Sequence, residues 1–159
     1  MGVATCDCIA LNLRAVEDTV RLGRTLGAQL RPGDYVALFG PIGAGKTTLV
    51  RGMTEATGSP VAATSPSFVL IHQYPGDPAL LHADLYRLTD PHEVAALGIE
   101  EQASELGAAI AVEWAERCPE ALPTERLEVH LSYSDGERIA KVRAMGDRAR
   151  TVLRGLMPR

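Results

Sequence analysis

The segment Gly40-Pro41-Ile42-Gly43-Ala44-Gly45-Lys46-Thr47 matches the pattern G-x-x-x-x-G-K-[ST] in full. Every residue type in it serves anion chemistry. Glycines let the backbone turn so tightly that successive N–H groups converge on phosphate oxygens. A helix beginning near Lys46 aims the positive end of its dipole at the same anion. The Lys46 ammonium suits β- and γ-phosphates, and the Thr47 hydroxyl suits Mg2+. The pattern predicts a nucleotide phosphate site.

Such a site needs a carboxylate at the end of a nearby strand to hold Mg2+, directly or through water. Asp84, closing ALLHAD, and Glu113, closing AIAVE, both follow apolar runs and emerge at a sheet edge. Glu113 on the metal with Asp84 orienting the attacking water is one division of labour; residue types leave the assignment open. Thr64-Ser65-Pro66-Ser67-Phe68 follows the loop helix, where P-loop hydrolases place a hydroxyl-bearing switch segment.

The elements around these groups read as α/β. Residues 8–13 alternate like a strand, and 15–30 carry apolar residues at helical spacing. DYVALFG is a short apolar run expected as a buried strand, and the loop helix should run from about Lys46 to Thr57. SFVLIHQY and ALLHADLY flank Pro75-Gly76-Asp77-Pro78 as a hairpin. Asp90-Pro91-His92-Glu93 fits a helix start. AAIAVEW predicts another buried strand. RLEVHLSY and RIAKVRA, joined around Ser134-Asp135-Gly136, predict a second hairpin, and a short basic helix follows. The expected fold is a single P-loop NTPase domain over residues 1–159, with a mixed, partly antiparallel sheet and helices on both faces.

Composition narrows the setting. No run approaches the roughly 18 apolar residues of a membrane helix, and the first residues lack the basic and apolar regions of a signal peptide. Cys6, Cys8 and Cys118 form no disulfide framework. A cytoplasmic protein is expected. Net charge is −4, yet residues from Arg138 onward carry seven basic side chains and one acid. The basic tail, about 145–159, is either a solvated helix face or a surface for RNA or an acidic partner.

Three readings of the phosphate site compete. A GTPase would carry an N-K-x-D guanine reader; the two lysines, Lys46 and Lys141, are not preceded by Asn. A small-molecule kinase needs an arginine-bearing lid, whereas residues 60–125 hold only Arg87 and Arg117. A nucleotide-sensing adaptor would bind without meaningful hydrolysis. Arg87 is the nearest in-chain candidate for an arginine finger.

GAGKTTLVRGM, TSPSF, HADLYRL, ALGIEE and AVEW occur here in an order and spacing that resembles the bacterial TsaE (YjeE) family. The resemblance spans roughly residues 15–143. It implies an ATP- and Mg2+-binding, weakly hydrolysing subunit of tRNA threonylcarbamoyladenosine (t6A) synthesis. It also implies that TsaB and TsaD are the partners, that tRNA is reached through that complex, and that hydrolysis resets it. Carried onto this chain, it implies phosphate binding by Gly43, Ala44, Gly45, Lys46, Thr47 and Thr48. Thr47 and Glu113 would serve Mg2+, and Asp84 would be needed for hydrolysis. A family-like first helix and last hairpin suggest Thr19 and Arg138 for the nucleotide pocket. Pro41-Ile42 depart from the family's usual acid-then-leucine and remove one N–H donor. Ala83 replaces a bulkier residue, and the tail after Arg143 does not map onto the family.

Overall fold

The computed structural model of the protein describes residues 7–66 and 70–158. Strands β1 (Cys8–Leu13), β2 (Tyr35–Phe39), β3 (Ile71–Tyr74), β4 (Ala79–Asp84), β5 (Ala108–Glu113), β6 (Arg126–Ser134) and β7 (Glu137–Met145) form one sheet. Its order is β1-β7-β6-β2-β5-β4-β3. The inner four, β6, β2, β5 and β4, run parallel. β7 and β1 at one side, and β3 at the other, are antiparallel to their neighbours.

Local chemistry explains the division. YVALF and AAIAVE are buried along both faces, as inner parallel strands require. The β6–β7 turn places Asp135 and Gly136 at φ 51° and 79°, the double positive φ that matches the strands' twist. The mixed sheet expected from the sequence is present.

Helices α1 (Val16–Gly27), α2 (Lys46–Ala56) and α5 (Asp147–Leu156) cover one face. Their Leu26, Leu49, Met53 and Leu153 pack with Leu38 and Leu131 of the sheet. Helices α3 (Pro91–Ala96) and α4 (Ile99–Leu106) cover the other, where Val94, Ile99 and Ala103 meet Ala37, Leu81 and Val112. Full burial of each such Leu, Val or Met is worth about 1.5–3 kcal/mol. α3 starts as expected, with Pro91 in its first turn and the Asp90 side chain accepting the His92 N–H at 2.8 Å. α4 is not signalled by the sequence pattern; glycines in the left-handed region, Gly98 and Gly107, bracket only eight residues.

The contact of α1 on α2 sets the position of the phosphate loop. A Cβ added to Gly23 would lie 2.1 Å from the Leu49 carbonyl oxygen, and one on Gly52 would lie 2.2 Å from that of Val20. The two helices thus meet backbone to backbone, and no larger residue fits between them.

The basic tail is a docked helix. Arg148 of α5 reaches Asp34 through Nε (3.0 Å) and Nη2 (2.8 Å), and the same Nη2 donates to the Gln29 carbonyl. Arg150 pairs with Asp7 and Asp147. Two of the tail's arginines are therefore spent on internal acids. No helix among the described residues is long and apolar enough to cross a membrane. Among the described residues Cys8 and Cys118 form no disulfide, and Cys6 lies outside the described residues.

Candidate active site

The loop between β2 and α2 departs from ordinary L-residue geometry where the sequence offers glycine. Gly40, Gly43 and Gly45 sit at φ 146°, 75° and 107°. Gly45 immediately precedes the first turn of α2, so the N–H groups of that turn face the loop's concavity. The cavity there, about 250 Å3, is lined by residues 42–48 with Val16, Trp114 and Arg138. The sequence-predicted residues Gly43, Ala44, Gly45, Lys46, Thr47 and Thr48 all belong to that wall.

Lys46 is curled into the loop. Its Nζ donates to the Gly40 carbonyl at 2.5 Å and to the Pro41 carbonyl at 3.0 Å, and it lies 3.9 Å above the Trp114 ring. Burial lowers its pKa, while Glu116, Glu113 and Asp84 oppose that shift by their charge. The ring face offers the ammonium a favourable surface beneath it. Trp114 itself is held at φ 57°, rare for a bulky residue. Tyr86 lies against the same ring at 4.8 Å, and the Arg117 guanidinium caps both rings. Arg87 is exposed, on the turn after β4.

The two strand-end acids come together. β4 and β5 are parallel neighbours in a register that pairs Asp84 with Glu113 directly. Both are almost fully buried. Thr47 Oγ1 donates to Glu113 Oε1 at 2.7 Å. Asp84 Oδ1 accepts the Tyr86 N–H at 2.8 Å. Burial raises the Asp84 pKa; the Tyr86 hydrogen bond pulls the other way, and the Glu113 charge adds to the rise.

On the far side of the loop stand Thr19 and Arg138. A Cβ at Gly45 would lie 3.5 Å from both Thr19 Cγ2 and Arg138 Nη1. Arg138 Nη2 reaches the Gly43 carbonyl at 3.3 Å and the Tyr133 hydroxyl at 2.7 Å, and the same hydroxyl donates to the Gly43 carbonyl. Thr19 Oγ1 and Arg138 Nε are buried with no hydrogen-bond partner among the described residues. A buried polar atom without a partner is costly unless a ligand supplies one.

Of the hydroxyl segment, Thr64–Pro66 are described, whereas Ser67 and Phe68 lie outside the described residues. The Tyr74 hydroxyl clasps Thr64 from both sides, accepting its N–H at 3.0 Å and donating to its carbonyl at 3.3 Å.

The groups present suit Mg2+ and a phosphate chain. Hydroxyl and carboxylate oxygens are hard donors of the kind this ion takes, and Thr47 and Glu113 already touch. Orphaned donors at Thr19 and Arg138 flank a loop of inward N–H groups.

Relatives carry the same framework. Residues 13–142 match the family model described as "Threonylcarbamoyl adenosine biosynthesis protein TsaE". This chain belongs to the TsaE family. Among TsaE proteins, that of Mycobacterium bovis is 44% identical over 135 residues, covering 77% of this chain and 80% of the relative. The Bacillus subtilis TsaE is 37% identical over 134 residues, covering 83% of each. The crystal structure of Bacillus subtilis YdiB superposes with a TM-score of 0.76 at 32% identity, covering 92% of both chains. The P-loop fold expected for a TsaE-family chain is the fold observed.

Sequence reasoning missed two groups at this TsaE-family site. Tyr133, which fastens Gly43, comes from the end of the last hairpin, 90 residues away. His82, whose Nε2 lies 2.8 Å from Glu113 Oε1, sits inside an apolar strand. Its spacing of two from Asp84 puts it on the same face, a signal that alternation carries.

Proposed function

We propose that this chain binds ATP with Mg2+ in the loop, hydrolyses it slowly alone, and serves t6A synthesis on tRNA together with TsaB and TsaD. Hydrolysis would reset that assembly between turnovers. The observation that carries the reading is the Thr47–Glu113 hydrogen bond beside buried Asp84 at the mouth of a complete phosphate loop. Family membership supports the role in t6A synthesis.

The chain's own groups divide the work. The loop N–H groups and the first turn of α2 bind and orient the phosphates. Lys46 exchanges its carbonyl contacts for β- and γ-phosphate oxygens. Thr47 and Glu113 would hold Mg2+, which supplies charge neutralisation across those oxygens. Asp84, one oxygen of which accepts the Tyr86 N–H, would orient the attacking water. Its raised pKa favours proton acceptance over a freely ionised acid. Thr19 and Arg138 would grip the nucleotide from the side opposite Glu113. An arginine finger contributes about 10³–10⁵ in rate, and a partner-supplied one fits slow turnover alone.

The test is ATP hydrolysis by the purified chain, alone and with TsaB, TsaD and tRNA, alongside Lys46→Ala. Slow turnover that rises sharply with the partners is expected, and Lys46→Ala should abolish tight ATP binding. Unchanged affinity in that variant removes the phosphate-site assignment. Bound ATP with turnover indifferent to the partners points instead to an adaptor, or to a kinase awaiting its acceptor.

A further inference from the structure

Glu113 is the last residue of its strand, and a glutamate there has three rotatable bonds with which to leave the metal position. One of its hydrogen bonds comes from Thr47, a residue that itself must turn to a metal. The other comes from His82, on the neighbouring strand β4. Both land on Oε1, and among the described residues Oε2 takes no hydrogen bond.

An ionised carboxylate only accepts hydrogen bonds, so His82 Nε2 carries the hydrogen. Nδ1 is buried and has no hydrogen-bond partner among the described residues. The ring therefore spends its one useful contact on Glu113. It is fully buried and cannot swing away. The His72 ring meets it edge-on at 6.5 Å, and the Tyr74 ring tilts against it at 6.1 Å. Those two are locked in turn: His72 Nδ1 bonds the Tyr74 hydroxyl at 3.1 Å, and that hydroxyl holds both backbone groups of Thr64.

The register shows how the contact arises. β4 and β5 pair His82 with Ala111 and Asp84 with Glu113. His82 and Glu113 are thus diagonal neighbours on one face, the same face as Asp84. A site needing only a filled core would take Leu or Met here, as it does at Leu80 on the same face. An imidazole with an orphaned nitrogen is a poor core residue.

We propose that His82 is the positioning residue for the metal carboxylate: it pins Glu113 Oε1 so that Oε2 is presented to Mg2+. The inference rests on the ATP–Mg2+ reading above. His82 touches neither nucleotide nor metal; it acts through Glu113.

The experiment uses the full chain, Mn2+ as the metal probe and the fluorescent nucleotide mant-ADP. Nucleotide Kd is measured in EDTA and across a Mn2+ titration. His82→Leu should leave the EDTA Kd within about twofold of the native value, yet raise the Mn2+ concentration for half-maximal effect by about tenfold or more, the usual scale for such outer partners. His82→Gln, whose amide nitrogen reaches the place of Nε2, should restore it to within about threefold. His82→Asn, whose amide reaches only the place of Nδ1, should resemble His82→Leu. Native metal dependence in His82→Leu, or equal behaviour of the Gln and Asn variants, overturns the proposal. If His82→Leu does not fold, as judged by circular dichroism, the Gln–Asn contrast decides alone. Glu113→Ala separates the layers. If its Mn2+ response is also native, the metal assignment fails and the positioning role with it. If Glu113→Ala is impaired while His82→Leu is not, only the positioning role fails.

Discussion

Replacing Gly23 with alanine sets two effects of opposite sign against each other. In an exposed helix interior the change stabilises by about 1 kcal/mol, because alanine is the better helix former. Here the new Cβ would lie 2.1 Å from the Leu49 carbonyl oxygen and 3.0 Å from Gly52 Cα. Ordinary contact begins at 3.4 Å, so α1 must retreat by about 1.3 Å. The obstacle is backbone, which cannot rotate aside. Overpacking of this kind costs about 1–3 kcal/mol, and the upper end applies. The net result should be a loss of about 1–2 kcal/mol, a fall in Tm of about 2–8 °C for a chain of this size. Urea or thermal unfolding by circular dichroism reads the sign directly. The retreat also draws Thr19 from its place beside Gly45, so nucleotide affinity should fall together with stability. A rise of 2–4 °C, about what helix propensity alone would give, refutes the close helix contact.

Asp84→Asn should abolish hydrolysis while leaving the fold as stable or more so. Burial raises the Asp84 pKa, so its contribution to stability is present below the ordinary carboxylate range and lost as pH rises through the folded value. The amide keeps an oxygen for the Tyr86 N–H without the charge; a clear drop in Tm at neutral pH would contradict this. Trp114, the sole tryptophan, should change its fluorescence when ATP draws Lys46 off its ring, and a silent titration would mean that the lysine stays. Arg148→Ala removes a bidentate contact to Asp34 and one to the Gln29 carbonyl, and should cost about 1–3 kcal/mol in urea unfolding. A neutral result would show that α5 is held without the Arg148 contacts, by its apolar face and its remaining polar contacts such as Arg150 with Asp7.

The phosphate loop was legible because its chemistry is contiguous: one strand, one turn and one helix start lie within a dozen residues. Asp84 and Glu113 were legible as acids closing apolar runs. Their pairing was not, because it depends on the register of β4 against β5, fixed by packing across the sheet. His82 was hidden for the same reason; within its own strand it reads as an odd polar residue. The tail's arginines showed surplus charge, but their acids, Asp7 and Asp34, lie more than 100 residues upstream. α4 escaped because eight residues between two glycines are too few for a periodic signal.

The sheet's connectivity also governs when the protein can become itself. β1 pairs along its whole length with β7, Cys8 opposite Arg143 and Leu13 opposite Arg138. Among the described residues, the fastening of the phosphate loop by Tyr133 and Arg138 likewise comes from the last hairpin. Contacts of such long sequence separation form late and slowly. On the ribosome, the first strand must wait as an unpaired edge until β7 has emerged. The shape of the loop is thereby tied to synthesis of β6 and β7: a nascent or truncated chain ending before residue 137 would carry the whole G-x-x-x-x-G-K-T segment and lack the hairpin that fastens it.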